Sequence, residues 1–207
     1  METKAFQLKV TLRYTKPPIW RRMEVRGDTT LGRLHHIIQV AMGWTDSHMH
    51  QFVAKGKCYG IPDQEFGLDR ENEDRIRIDQ VLRKTKDKLL YEYDFGDGWE
   101  HDVVVEKVLP IVSGNKRYPM VTGGRGACPP EDCGGIPGST AYWRSLVNRI
   151  IPSMKNCWNG SAMSMIQKAS TFRKSIEHFT VGGLPRSRTH NAHKPDMLAL
   201  RSCTTLN

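Results

Sequence analysis

The chain has 207 residues, 31 Lys/Arg against 22 Asp/Glu, and a formal net charge of +9. No apolar run approaches the roughly 18 residues that a membrane-spanning helix needs, which excludes an integral helical membrane protein. The charge is uneven: residues 147–207 hold nine Lys/Arg and two acids, so the first 146 residues are close to neutral and a broad phosphate-tracking face on them is not implied.

The N-terminus carries no apolar signal core, so a cytoplasmic protein is expected, with Cys58, Cys128, Cys133, Cys157 and Cys203 as reduced thiols. Ala5 to Tyr14 alternates apolar and polar residues, the period of a strand with one buried face. Pro17-Pro18 interrupts it, and Ile19 to Val25 alternates again, which predicts a hairpin with the prolines in its connection. Thr29 or Thr30 caps a helix whose apolar residues fall at Leu31, Leu34, Ile37, Ile38, Ala41 and Met42, with Gly43 as its stop.

A strand is predicted from His48 to Ala54, a polar loop over 56–75, and a short helical turn at Asp79–Leu82. Lys88–Tyr93 and Glu100–Val108 read as two strands joined by a tight turn at Gly96-Asp97-Gly98. The expected architecture is α+β: a mostly antiparallel sheet of about five strands packed by one main helix. The glycine- and proline-rich residues 113–140 are expected to follow as an ordered loop without regular structure.

The hairpin crowds Asp94, Asp97, Trp99 and His101 into a small volume, and His48 and His50, two apart, share a strand face. If the two strand pairs are neighbours, these groups converge. Imidazoles with a carboxylate suit a divalent metal, and His48, His50 and His101 are the ligand set for that reading. The competing reading is structural and needs no cofactor: the aspartates accept turn amides, Gly96 and Gly98 supply positive φ, and Trp99 fills the core. Cys128 and Cys133 lack the spacing of a zinc knuckle and read as small buried side chains, with Glu131 and Asp132 pinning loop amides. Trp20, Arg21 and Arg22 form the basic, aromatic group of the body and are the candidate contact for phosphate or an acidic partner.

Several motifs in order resemble the plasmid pRiA4b ORF-3-like family. They are Pro18-Ile19-Trp20-Arg21-Arg22, the helix running to Gly43-Trp44, His48-Met49-His50-Gln51-Phe52, Tyr59-Gly60, Tyr93-Asp94-Phe95-Gly96-Asp97-Gly98-Trp99-Glu100-His101, and Cys128-Pro129-Pro130-Glu131-Asp132-Cys133-Gly134-Gly135. The resemblance covers roughly residues 5–145. It implies a bacterial or archaeal, plasmid- or transposon-associated protein of α+β fold with no settled reaction. Some members of the family carry a resolvase-like label, but the serine or tyrosine recombinase constellations are not found here.

The resemblance also implies an acidic, leucine-rich helix where this chain runs Met154-Lys155-Asn156-Cys157-Trp158. Codons for residues 154–170 read one base earlier can encode such a helix. Residues 1–145 are therefore read as the domain, and 146–207 as a basic tail, frameshifted and disordered. The competing reading of that tail is a solvated arm that binds nucleic acid. The function expected is an accessory or interaction module of a mobile element, with a protein or nucleic acid as partner. The alternative is a metal-dependent enzyme or a DNA-binding, resolvase-like protein.

Overall fold

The computed structural model describes residues 4–62, 69–111 and 117–150. One eight-stranded sheet dominates them, in the order β5-β4-β3-β6-β7-β1-β2-β8. The strands are β1 (Lys4–Leu12), β2 (Ile19–Arg26), β3 (His50–Ala54), β4 (Lys57–Gly60), β5 (Glu71–Asn72), β6 (Lys88–Tyr93), β7 (Trp99–Pro110) and β8 (Met120–Arg125). Every neighbouring pair is antiparallel except the two-residue β4–β5 contact.

The helices are α1 (Leu31–Met42), α2 (Ile78–Val81) and α3 (Gly135–Ile150), with a 3-10 turn at Glu73–Arg75. α1 begins where the Thr30 side chain accepts from the Arg33 amide, and it ends at Gly43 in the left-handed region, φ 88°. Only glycine takes that conformation without strain. Leu34, Ile37, Ile38 and Ala41 bury against Leu8, Val10, Met23, Phe52, Tyr91 and Val103 from one face of the sheet. The period-two pattern of the sequence places those strand residues on a common side.

The α+β class and the antiparallel character are as expected, but the sheet has eight strands rather than about five. β4 and β5 lie in the segment read as a polar loop. β4 escapes notice because it is four residues long, with only Cys58 and Tyr59 as apolar members. β8 and α3 lie in the segment read as irregular. Gly123 in β8 sits beside the Trp20 ring and the Arg22 guanidinium, so a glycine there makes room for a cross-strand aromatic rather than marking a loop. Among the described residues the ordered-loop expectation therefore holds for 117–119 and Gly126–Gly134, and α3 runs through residue 145. The reading of the tail as frameshifted and disordered falls, from residue 151, outside the described residues. Cys128 and Cys133 are free, whereas Cys58 is disulfide-bonded, which corrects the expectation of reduced thiols for that residue.

Candidate functional site

Four segments meet at one end of the sheet: the connection 43–49 after α1, the start of β3, the β6–β7 turn, and the loop 126–134 that leads into α3. β3 and β6 are neighbours, with His50 opposite Tyr93, and the Asp94 amide donates to the Met49 carbonyl at 2.8 Å. That pairing is the condition under which the sequence expects the histidines and aspartates to meet, and it brings together some of them.

His48 lies just before β3. Its Nε2 is 3.6 Å from Asp94 Oδ2 and 3.2 Å from Asp132 Oδ1. The approaches are close enough for charge attraction, yet Nε2 is buried and makes no hydrogen bond of good geometry. Asp94 sits in the turn at φ 54°, and its Oδ1 accepts from the amides of Gly96 (3.0 Å) and Asp97 (3.2 Å). Those two bonds fix the carboxylate and leave Oδ2 turned to His48.

His50 and His101 do not join this group, so the expected set His48, His50 and His101 is not assembled. β3 begins only at His50, so the period-two argument for a shared face fails at His48. His50 points into the protein, where its Nε2 lies 2.9–3.0 Å from both oxygens of the buried Glu73. Its ring stacks on His35 at a centroid distance of 3.4 Å. His101 is wholly buried beneath Trp44 and Tyr91, and burial pulls its pKa from 6.5 down to about 4. Trp99 fills the core as the structural reading requires. Asp97 accepts not from its own turn but from the Cys133 amide at 3.1 Å, so it ties the hairpin to the loop before α3.

The loop residues divide in the same way. Glu131 accepts from the Thr45 amide (2.9 Å) and hydroxyl (2.6 Å) and from the Tyr93 hydroxyl, and Trp44 donates to the Pro129 carbonyl at 2.9 Å. Asp132 is three-quarters exposed and offers its carboxylate to His48. Burial pushes the Cys128 thiol up to about 12 and also raises that of Cys133, so neither is an activated thiolate.

The seam between loop and hairpin is tight. A Cβ on Gly135 would run into the Asp97 carbonyl, and one on Gly138 would overlap the Cys133 carbonyl oxygen. Gly138→Ala is expected to cost about 2 kcal/mol by overpacking against backbone, read as a lowered urea midpoint with an unchanged slope. A loss below about 0.5 kcal/mol would show that α3 can lift from the loop without strain.

Sequence reasoning missed a second polar network. His35 Nδ1 meets the Tyr91 hydroxyl at 2.8 Å and its Nε2 meets Asp46 Oδ1 at 2.6 Å. Gln39 donates to the Tyr91 hydroxyl at 2.9 Å and accepts from the Asp46 amide at 3.2 Å. Tyr91, receiving from Gln39, gives its own proton to His35, which then donates from Nε2 to Asp46. The four groups close a ring. Burial lowers His35 to about 4 against the opposing pull of Asp46. Burial acts to raise the Asp46 carboxyl, but the bonds from His35 and His36 outweigh it and hold it well below the carboxylate range. The signal available in the sequence was His35, one turn before Gln39 on α1.

The basic candidates separate as well. Arg21 is buried: its Nε donates to the Ala41 carbonyl at the end of α1 (2.8 Å), and its Nη1 donates to the carbonyls of Trp20, Arg125 and Gly126 (3.0–3.2 Å). That placement removes it as a contact for phosphate. Arg22 is held by both carboxylate oxygens of Glu106, while its guanidinium and the Lys9 ammonium lie 5.0 and 5.2 Å from the Trp20 ring centre.

Residues 4–158 match the family described as plasmid pRiA4b ORF-3-like protein. A relative from Sinorhizobium fredii (strain NBRC 101917 / NGR234), "Uncharacterized protein y4hQ", is 34% identical over 182 residues, which is 86% of this chain and 93% of that protein. Among solved structures, the "Protein of Unknown Function MM3350" from Methanosarcina mazei Go1 is similar with a TM-score of 0.62. It is 30% identical, and the match covers 72% of this chain and 83% of that one. No described helix is long and apolar enough to cross a membrane.

Proposed function

We propose that this chain, which belongs to the plasmid pRiA4b ORF-3-like family, is a non-enzymatic accessory module of a mobile element that binds a protein partner through the outer face of its sheet. The observation that carries this reading is the mutual pairing of the charges on that face. Arg13 bonds Glu100 and Asp102, Arg22 bonds Glu106, and Gln51 bonds Glu92. The strand registers set these groups in rows: Val53, Leu90, Asp102, Thr11 and Trp20 in one, and Lys88, Val104, Lys9 and Arg22 in the next. Half-buried apolar side chains interleaved with both signs of charge fit a protein surface. A phosphate chain would have to compete with four carboxylates already in place.

The test uses the full chain with supercoiled plasmid DNA and with generic phosphodiester and ester substrates, with and without Mn²⁺ or Zn²⁺. No turnover above background is expected. No complex that depends on Trp20 or Arg22 should survive about 150 mM salt, where surface electrostatics is screened within about 8 Å. Metal-stimulated turnover lost in Asp94→Asn would overturn the non-enzymatic reading. A salt-resistant DNA complex lost in Trp20→Ala would overturn the protein-partner reading.

A further inference from the structure

We propose that His48, Asp94 and Asp132 form a binding site for one divalent transition-metal ion, of the Zn²⁺ or Mn²⁺ class, that clips the loop before α3 to the hairpin turn. The site does not depend on the binding-module reading above.

One buried nitrogen without a hydrogen bond, His48 Nε2, faces two carboxylates. The Asp94 residue is more than nine-tenths buried, its Oδ1 is held by two turn amides, and among the described residues no hydrogen bond reaches its Oδ2. His48 Nε2 lies 3.6 Å from that oxygen. Buried polar atoms ordinarily find partners, because leaving one unmade costs about 1–3 kcal/mol. Asp132 Oδ1 completes the group at 3.2 Å from Nε2, and the three ligand atoms all lie within 4.8 Å of one another.

Those separations suit a shared ion better than a shared proton. Ligand atoms held at about 2.1 Å from one ion lie about 3.0 Å apart along an octahedral edge and about 3.4 Å apart along a tetrahedral one. One neutral imidazole and two carboxylates leave two negative charges for the ion to balance. Mixed nitrogen and oxygen donors favour Zn²⁺ or Mn²⁺ over Ca²⁺, which collects six to eight oxygens. The exposure of Asp132 leaves the remaining coordination positions to water or to an anionic group of a partner. The second group of this kind, His35, His36 and Asp46, does not compete on these grounds: Asp46 already receives both imidazoles.

The test is calorimetric titration of the chelator-stripped full chain with Zn²⁺ and then Mn²⁺, with Ca²⁺ as the control. His48→Gln and Asp94→Asn are compared with His36→Gln, and Asn at position 94 retains an acceptor for the turn amides. The expected result is one equivalent of metal whose affinity falls at least tenfold in His48→Gln and in Asp94→Asn and is unchanged in His36→Gln. Circular dichroism of the variants, unchanged from the parent, excludes loss of fold as the cause. Absence of that equivalent, or an equivalent indifferent to His48 and Asp94, overturns the site. A hydrogen-exchange comparison reads the clip itself: metal should slow exchange in residues 127–135, and no slowing would show that the loop is not held by the ion.

Discussion

Acidification from pH 6.5 to pH 4 is expected to strip the fold of roughly 3 kcal/mol for each of two buried histidines. His35 and His101 are both lowered from 6.5 to about 4, in each case first by burial. The Asp46 bond opposes this at His35, and the Tyr91 and Trp99 backbone oppose it at His101. Both imidazoles are therefore neutral in the fold at pH values where the unfolded chain is already protonated. Their contribution is complete above pH 6.5, falls as protons bind the unfolded chain below it, and is spent near pH 4. His36 works in the other direction: the Asp46 bond raises it, so its contribution is full below 6.5 and fades as pH rises through its folded value. The lowered carboxyls of Asp28 and Asp87 act below the histidine window, and that of Glu106 begins to act at its acid end, below pH 4.5.

Urea midpoints at half-unit pH steps read this directly. His101→Leu should remove about half of the slope between pH 6.5 and 4 at a cost near neutrality of about 1 kcal/mol, because it deletes the long 3.4 Å bond between Nδ1 and the Tyr91 carbonyl, whereas Nε2 has no partner to lose. A midpoint that stays flat across that window would show that the imidazoles take up protons in place.

Arg21→Met is expected to cost about 3 kcal/mol, with no effect on any nucleic-acid contact. The guanidinium serves four backbone carbonyls, one at the C-terminus of α1 and three along β2 and the end of β8. A cation suits the negative end of the α1 dipole, and burial alone pulls its pKa down. Methionine fills the volume but leaves those carbonyls unserved. A stability change under about 0.5 kcal/mol would mean that water replaces the guanidinium without loss, and the side chain would again be available as a contact.

Arg21 and Arg22 also show where reading the sequence stops. Alternation along β2 puts the two on opposite faces, and that is legible from the chain. Which face is covered is not: α1 closes over Arg21, while Glu106, eighty-four residues away, neutralises Arg22. Trp99 is visible as core from its place in an alternating strand. His101, two residues on, follows the same alternation into the interior, so its burial was legible even though its reactive-looking neighbours suggested a site.

Local patterning by itself determined β1, β2, β6, β7 and α1 and the α+β class, because period-two and helical spacing are properties of consecutive residues; the family came from the resemblance of several motifs in order. It also marked His48 and Asp94 as candidates. The tertiary structure alone decided that β3 lies beside β6, that His48 meets Asp94 while His50 turns to Glu73, and that Asp132 arrives from a loop tens of residues away. It alone decided that the glycines near the end of the described chain are close-packing positions against the hairpin rather than signs of a loose segment. The physical reason is common to all of these. Spacing fixes which side of an element a residue occupies, but the neighbour on that side is set by non-local pairing, and charge, burial and ligand geometry all depend on that neighbour.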